Sequence, residues 1–584
     1  MRILSYDTET TSLRRQIGDI FAYSLCDMEG QTSVHRLDGS AVRQVQSRRI
    51  LEQIWKDHDT SLVMHNAKFD VGFTEKLLAT PIASSRFHDT MLMSHILRNH
   101  HPSHALKDLS WELAGVPKDD ERAIKVYTRG GRSYQDVPEN LMTKYQERDA
   151  ERCMLLYQFF WSKIKQNKEW VEIYQNERDV IPVTLSMENR GVMLHVKRCK
   201  QLIEKLRTDA SQVLDKIEAE VGDRINPNSD KFRWLLYHKL KMPVLSKTKT
   251  GLPSVDKEVL MELRNTNPHK VLELALMYRS WSRGVSMLSS YLDLADANAI
   301  IHPNIKTCAA ITGRESCSEP NLQNVEKTGV MLNPYPVPAR LVFRPRPGYV
   351  HFHIDYSGQE MRLLVHYSGD DELVRVCNDP HGDVHLPATL IFYGDKFTDG
   401  DKDARKSMRN AMKNGNFAKA YGAAWLKIGV TLNLPDDQVR RGVREYEQRF
   451  PRLCHLMYTI TKQVKETGRI VTAFGRYLHV PRDQAYMGTN YLIQGTAAEM
   501  LKRGQVRVHQ YLEVATGGEM KLLLPIHDEL IIECPRNRLG DAKEILRGVV
   551  HRMTDFPGRF KVPLLAEISI ATVDWAHKTT YNVN

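Results

Sequence analysis

A multidomain fold that mixes helices with strands is predicted by three features of the sequence. The chain has 584 residues, more than one hydrophobic core organises, so three or four domains are expected. Strand-like segments run into acidic residues at two distant places, residues 1–10 and Tyr349–Asp355. Between and beyond them lie long helical stretches, many rich in Lys and Arg. Apolar residues make up 42% and charged residues 26%, ordinary for a folded soluble chain. The formal charge of +11 suits a polyanionic partner.

The eight cysteines (Cys26, Cys153, Cys199, Cys308, Cys317, Cys377, Cys454, Cys534) are scattered without a CxxC pair. That argues against a disulfide framework or a zinc knuckle and favours a reducing compartment. The N-terminus lacks the apolar stretch of a signal peptide, and no apolar run approaches membrane-spanning length. A soluble cytoplasmic protein is expected, with no membrane partner.

Taken in order, the first strand is followed by further strand-like and helical stretches up to a helix over about Glu139–Lys165. A long helical region begins near Glu177 and ends at Gly191-Val192-Met193. From Lys197 to Leu294 the pattern is mostly helical, broken by the polar turn segment Ser246–Pro253. Prolines around Pro334–Pro347 exclude helix. The strand Tyr349–Asp355 follows, then a mostly helical block to about Lys465, and finally strands near Lys521–Cys534. No repeat or low-complexity tail interrupts the chain.

Asp7 and Glu9 lie two apart on the first strand, so both side chains leave one face. Carboxylates held together repel, and divalent cations relieve that repulsion. Asp70 adds a third acid, and Tyr145 and Asp149 share one helix face at a spacing of four. Four acids from three segments could hold two Mg²⁺ ions, one activating water and one stabilising the leaving oxygen. Tyr145 could orient that water. Each segment alone is as readily an ordinary exposed strand or helix face. Together, Tyr6-Asp7-Thr8-Glu9-Thr10, Asn66-Ala67-Lys68-Phe69-Asp70 and Tyr145-Gln146-Glu147-Arg148-Asp149 resemble the three motifs of DEDDy 3′→5′ proofreading exonucleases.

A second acidic constellation lies downstream. Tyr349–Asp355 alternates like a half-buried strand, and two apolar runs flank His527-Asp528-Glu529, as in a β-hairpin with acids at its tip. Asp355 and Asp528 are the candidate ligands for phosphoryl transfer. Between them, Arg409, Lys413, Phe417 and Tyr421 recur every four residues, so cations and aromatics share a helix face fit to grip a triphosphate and a base. Arg405 extends its cationic end. A solvated basic helix is the plain alternative for that face by itself.

In order, these segments resemble family A DNA polymerases, the group of bacterial DNA polymerase I and many phage replicases. Asp355-Tyr356-Ser357-Gly358-Gln359-Glu360-Met361-Arg362 looks like motif A, Arg409 through Tyr421-Gly422 like motif B, and Ile526-His527-Asp528-Glu529 like motif C. Thr312-Gly313-Arg314, Pro320–Asn324, Gly382-Asp383-Val384-His385, Phe474-Gly475-Arg476, Gln494–Ala498 and the loop of Lys247-Thr248 with Gly251–Ser254 also match.

The resemblance implies a multidomain α/β and α+β protein. An RNase H-like exonuclease domain (1–175) would precede a right-hand polymerase domain (176–584). Its thumb would cover about 197–295, its palm about 300–370 and 470–584, and its fingers about 371–469. Asp7, Glu9, Asp70 and Asp149 would hold two Mg²⁺ ions in the exonuclease. Asp355, the Tyr356 carbonyl and Asp528 would hold two more in the polymerase, supported by Glu529, and Mn²⁺ may substitute. Arg409, Lys413 and His385 would contact the triphosphate, with Phe417, Tyr421 and Gln359 around the nucleotide and Glu360 excluding a 2′-hydroxyl. Arg314, Gln323, Asn324, Asn490, Gln494 and His527 would contact DNA. Primer–template DNA and dNTPs are the implied partners of a monomer, with a helicase or other replisome proteins beside it.

The sequence departs from the family at Gly415 and Ala418 in motif B, where a softer helix is expected, and at Gly358-Gln359 in motif A. Asp7 arrives with no 5′-nuclease domain before it, which suggests replication of a phage genome. A single-subunit RNA polymerase would lack both the Glu360 gate and the exonuclease motifs. A lone exonuclease would leave Asp355 and Asp528 unexplained, and an inactive scaffold would show broken carboxylate sets.

Overall fold

The structure, a computed structural model, describes residues 2–326 and 335–583. Met1, Pro334 of the proline cluster and Asn584 lie outside those residues. The N-terminal unit is a mixed sheet of β1 (Arg2–Thr10), β2 (Ile20–Cys26), β3 (Thr32–Arg36), β4 (Thr60–Met64) and β5 (Phe87–Asp89). The strand order is β3-β2-β1-β4-β5, with β1 antiparallel to β2 and parallel to β4. Helices α1 (Ala67–Leu78), α2 (Thr90–Arg98), α3 (Leu106–Ala114) and α4 (Glu139–Ile164) are among those packed around it. The twofold period of β1 divides its side chains. Ser5 bonds the Ala150 carbonyl of α4 at 2.7 Å, whereas Tyr6 and Thr8 bond Thr74 and Asp70 of α1.

The next helix, α5 (Lys168–Arg190), starts nine residues before the position read from the sequence. The signal is Asn167, whose side chain accepts the Trp170 N–H at 3.0 Å as an N-cap. The helix also continues through Pro182. Its last residue ties it to the second sheet. Helices α6 (Val196–Val221) and α7 (Lys270–Leu294) pack against each other, and the described part of the proline-rich segment after them forms a 3₁₀ turn at Ala339–Val342.

The second sheet contains β6 (Tyr349–Tyr356), then β9 (Lys521–Ile526), β10 (Glu529–Pro535), β11 (Ala566–Ala571) and β12 (Lys578–Thr580). The small hairpin of β7 (Arg469–Val471) and β8 (Tyr477–His479) is separate. The larger sheet is antiparallel throughout, in the order β9-β10-β6-β11-β12. Asp355 pairs in register with Glu529, and the Tyr356 N–H donates to the Asp528 carbonyl at 3.3 Å, so the two acidic segments end side by side. Gly358, at φ +62°, makes the sharp turn from β6 into α8 (Gln359–Ser368).

Among the further helices are α9 (Lys402–Ala420), α10 (Trp425–Leu432), α11 (Gly488–Thr516) and α12 (Ala542–Thr554). Gly415 of α9 has a packing role. A Cβ there would lie 2.8 Å from the Leu432 side chain, so glycine is what lets α10 seat on α9. All eight cysteines are free thiols, and no helix among the described residues is long and apolar enough to cross a membrane.

Glu533 of β10 ties the end of α5 to the second sheet. Its buried carboxylate takes Arg190 at 2.7 Å from the end of α5 and Arg346 at 2.8 Å. Burial opposes its ionisation, but His351, Arg190 and Arg346 outweigh that and pull its carboxyl down to about 2. A carboxyl depressed in the folded state contributes stability above its unfolded pKa, which is lost as pH falls through the folded value. Glu533→Gln should cost about 3–5 kcal/mol near neutral pH. In denaturant titrations the gap between wild type and variant should shrink as pH falls from the ordinary glutamate range towards about 2.

Candidate active sites

The N-terminal acids gather where β1, α1 and α4 meet. Asp70 is buried, and its Oδ1 accepts the Thr8 hydroxyl at 2.7 Å and the Thr8 N–H at 3.0 Å. Asp149 is buried on α4, one turn beyond Tyr145. Burial first, then repulsion from neighbouring carboxylates, raises the carboxyls of Asp7 and Glu9, the latter to about 8; burial raises Asp70 to about 7. Asp7 is pushed up by Asp70, Glu9 and Asp149, and Glu9 by Asp149 and Asp70.

Two cations missed by sequence reasoning moderate this crowding. Lys107 of α3 donates to the Tyr145 hydroxyl at 2.6 Å and pairs with Asp149 at 3.2 Å. Arg152 pairs with Asp149 at 2.7 Å and with Asp120. No spacing pattern marks Lys107, because it reaches the cluster from a different helix. Arg152 lies one turn after Asp149 and could have been noticed there. An all-oxygen set carrying excess negative charge has the chemistry of a hard divalent cation site. Among the described residues no group of three or more potential ligands is close enough to enclose an ion. In this arrangement Thr8 engages Asp70, and Lys107 and Arg152 engage Asp149.

At the second site, Asp355 and Asp528 stand at the ends of β6 and of the β9–β10 hairpin. His527 occupies the turn, exposed and at φ +58°. Glu529, read as supporting these two acids, is buried, next to Asp528 in the chain. Its carboxylate is already engaged by His353 and by Lys578 at 2.9 and 3.0 Å. Burial works against its ionisation, but His353 and Lys578 prevail and hold it far below the ordinary carboxylate range. The buried guanidinium of Arg340 also feels the charges of Glu529 and Asp355 and donates to the Val325 carbonyl at 3.2 Å.

The α9 face is anchored more than the spacing suggested. Arg409 forms a two-pronged pair with Asp383, Nη2 at 2.9 Å, and Lys413 is exposed. Arg405 turns away from this face to the Thr398 and Gly400 carbonyls, both at 2.7 Å. His385 is buried, meets Asn416 at 3.1 Å and stands edge-on to Phe417. Burial, reinforced by Arg409, lowers its imidazole to about 4, so the ring is neutral at neutral pH. Phe417 and Tyr421 stack at 6.1 Å. Glu360 is held from two sides, by Tyr421 at 2.8 Å and Arg314 at 2.9 Å. Gln359 is buried, its neighbour Glu360 half-exposed.

The remaining sequence candidates flank a cleft. Gln323, Asn324, Arg340 and His527 line a space of about 900 Å³ facing α7. Gln323 bonds the Pro525 carbonyl at 3.3 Å, and Asn490 and Gln494 lie half-buried on α11.

Two family models match the chain. The one described as 3′-5′ exonuclease covers residues 1–165, and the one described as DNA polymerase family A covers residues 196–577. This chain belongs to DNA polymerase family A. As a family A polymerase it carries an exonuclease domain ahead of the polymerase domain, the order and mixed α/β fold that the motifs imply. DNA polymerase I of Pseudomonas aeruginosa is 26% identical over 98% of this chain and 63% of its own length. The thermostable DNA polymerase I of Thermus filiformis is 30% identical over 75% of this chain and 53% of its own. The chain thus spans about half to two thirds of these relatives. The POL domain of Pol1 from M. smegmatis, in complex with DNA primer-template and dNTP, shares the fold. It has a TM-score of 0.81 at 21% identity, covering 98% of this chain and 95% of that one.

Lys107 offers a test of the charge argument. Replacing it with Met removes a cation within salt-bridge reach of Asp149. A unit charge at about 4 Å is worth at most about 4 kcal/mol at an effective dielectric of about 20. Lys107→Met in a chain that also carries Asp528→Ala should therefore bind Mn²⁺ about 10-fold more tightly. Electron paramagnetic resonance titration measures it; unchanged or weaker binding would show that Lys107 does not set the field of this cluster.

Proposed function

We propose that this family A polymerase copies a DNA template by extending a primer with dNTPs, and that its N-terminal domain removes nucleotides from the 3′ end. One observation carries the reading: one chain holds two separated carboxylate sets, and each falls inside the matching family segment, residues 1–165 and 196–577. The proposed division is 1–175 for the exonuclease and 176–584 for the polymerase. Within the latter, 197–295 serve as thumb, 300–370 with 470–584 as palm, and 371–469 as fingers.

Two divalent cations, Mg²⁺ by preference, would be held by Asp355, Asp528 and the Tyr356 carbonyl, and two more by Asp7, Glu9, Asp70 and Asp149. They would supply charge stabilisation at the reacting phosphorus and its attacking and leaving oxygens. In extension, the primer 3′-hydroxyl displaces pyrophosphate from the incoming nucleotide. Lys413 and Arg409 receive the triphosphate, with Arg409 exchanging Asp383 for phosphate oxygens. Neutral His385 serves there as a hydrogen-bond donor. The stacked rings of Phe417 and Tyr421 give a surface for the nucleotide. Glu360, fixed by Tyr421 and Arg314, is the group proposed to reject a 2′-hydroxyl. In removal, water attacks the terminal phosphodiester; Tyr145, its phenol kept protonated by burial and by Asp149 and Glu9, orients that water.

Separate inactivation tests the assignment. Asp528→Ala should lower primer extension by about 100-fold or more while single-strand degradation persists. Asp7→Ala with Glu9→Ala should do the reverse. Extension retained by Asp528→Ala removes the polymerase assignment, and degradation retained by the double variant removes the exonuclease assignment.

A further inference from the structure

Helix α11 carries an arginine pocket that neither carboxylate site uses. Arg503 and Arg507 are four apart and share a helix face. Gln494 lies nine residues before Arg503, about half a turn round the helix and roughly 13 Å along it. The pocket is therefore on the far side of α11 from the proposed DNA-contacting residues Asn490 and Gln494.

Arg559, from the loop after α12, completes the set. The Arg503 and Arg559 guanidinium carbons lie 4.8 and 4.6 Å from the centre of the Phe474 ring, and that of Arg507 lies 4.4 Å from Phe556. Phe474, Phe556 and Phe560 pack edge to face and hold these rings in place. The pocket has a volume of about 290 Å³, lined also by Asn176, Val506, Asp555 and Pro557. At about 30 Å³ per water molecule, that admits a phosphate group with part of its hydration.

The guanidiniums are short of acceptors. Arg503 Nε and Arg507 Nη2 are shielded from water and have no hydrogen-bond partner. Arg507 otherwise donates to the Asp555 and Arg503 carbonyls, and Arg559 to the Ala473 carbonyl. The Asp555 carboxylate is the one acid on the lining, and it pairs with His551 at 3.4 Å. On the lining itself three arginines outnumber one aspartate, a local positive surplus that Glu499 and Glu172, which also act on Arg503, reduce. Shielded guanidinium N–H groups without acceptors are costly, and a multivalent oxyanion satisfies them while cancelling the surplus.

We propose that Arg503, Arg507 and Arg559 form a second phosphate-binding site, separate from both carboxylate sites. Its ligand chemistry is the phosphate oxygen, carried either by a free oligophosphate such as pyrophosphate or by the backbone of a nucleic-acid strand.

The test uses the full chain in chelator, with Arg409→Gln and Lys413→Gln present so that the α9 face does not report. Isothermal titration with pyrophosphate and with a single-stranded oligonucleotide is compared before and after adding Arg503→Gln and Arg559→Gln. Loss of about 10-fold or more in pyrophosphate affinity supports the site with a free ligand. The same loss confined to the oligonucleotide supports it with a strand as source. Unchanged affinity for both overturns the proposal. Arg559→Gln alone, at an exposed loop position, guards against misfolding and should still weaken the affected ligand several-fold. A tungstate soak of crystals should place an anomalous peak between the three guanidiniums; a peak elsewhere with none here also overturns it.

Discussion

Glu177 of α5 is fully buried, and the protein is arranged around satisfying it. Lys502 reaches its carboxylate at 2.7 and 2.9 Å, and Arg476 binds both Glu177 and the buried Glu499. A carboxylate in this position is very costly unless paired and hydrogen-bonded. Burial alone would raise its pKa, yet Lys502 and Arg476 hold it below the ordinary value. The partners come from α11 and from the β7–β8 hairpin, so the charge cannot be satisfied unless these elements meet. Asn99 at the end of α2 pairs with the same hairpin, through the Tyr477 carbonyl at 2.9 Å and the His479 ring at 2.8 Å.

The rest of α5 extends that constraint to both active sites. Near its start, Tyr174 donates to His88 or accepts from it and takes the Asp89 N–H at 2.9 Å, while Asp89 caps α2. Near its end, Glu188 binds Lys68, two residues before Asp70, and accepts the Ile305 N–H at 2.6 Å. Arg190 then binds Glu533, four residues beyond Glu529 on β10. One helix thus registers the scaffolds of two carboxylate sets. Their electrostatics differ in kind. Asp7, Glu9 and Asp70 are raised by burial, the first two also by neighbouring carboxylates, whereas Glu529 and Glu533 are lowered by basic partners. The first kind calls for a cation from outside; the second is settled within the fold.

Sequence reasoning saw what is periodic or local. The alternation in β1, the apolar runs flanking Asp528 and the four-residue spacing on α9 all encode geometry within one element. It missed what depends on distant partners. Nothing near Glu529 announces that Lys578 and His353 engage its carboxylate, and nothing near Asp149 announces Lys107. Gly415 read as a weakness because helix propensity is a property of one helix, while its role is set by Leu432 on the next. The start of α5 is marked locally by its Asn167 cap and not by apolar spacing.

Scanning calorimetry of wild type and Glu177→Gln tests most directly whether this buried charge holds the two halves together. Wild type should unfold in a single cooperative transition. The variant leaves Arg476 and Lys502 with less compensation and should lose about 3–5 kcal/mol. Its transition should split, with the N-terminal domain melting apart from the polymerase domain. Two separate transitions already present in wild type, with both midpoints unchanged by Glu177→Gln, would contradict the account.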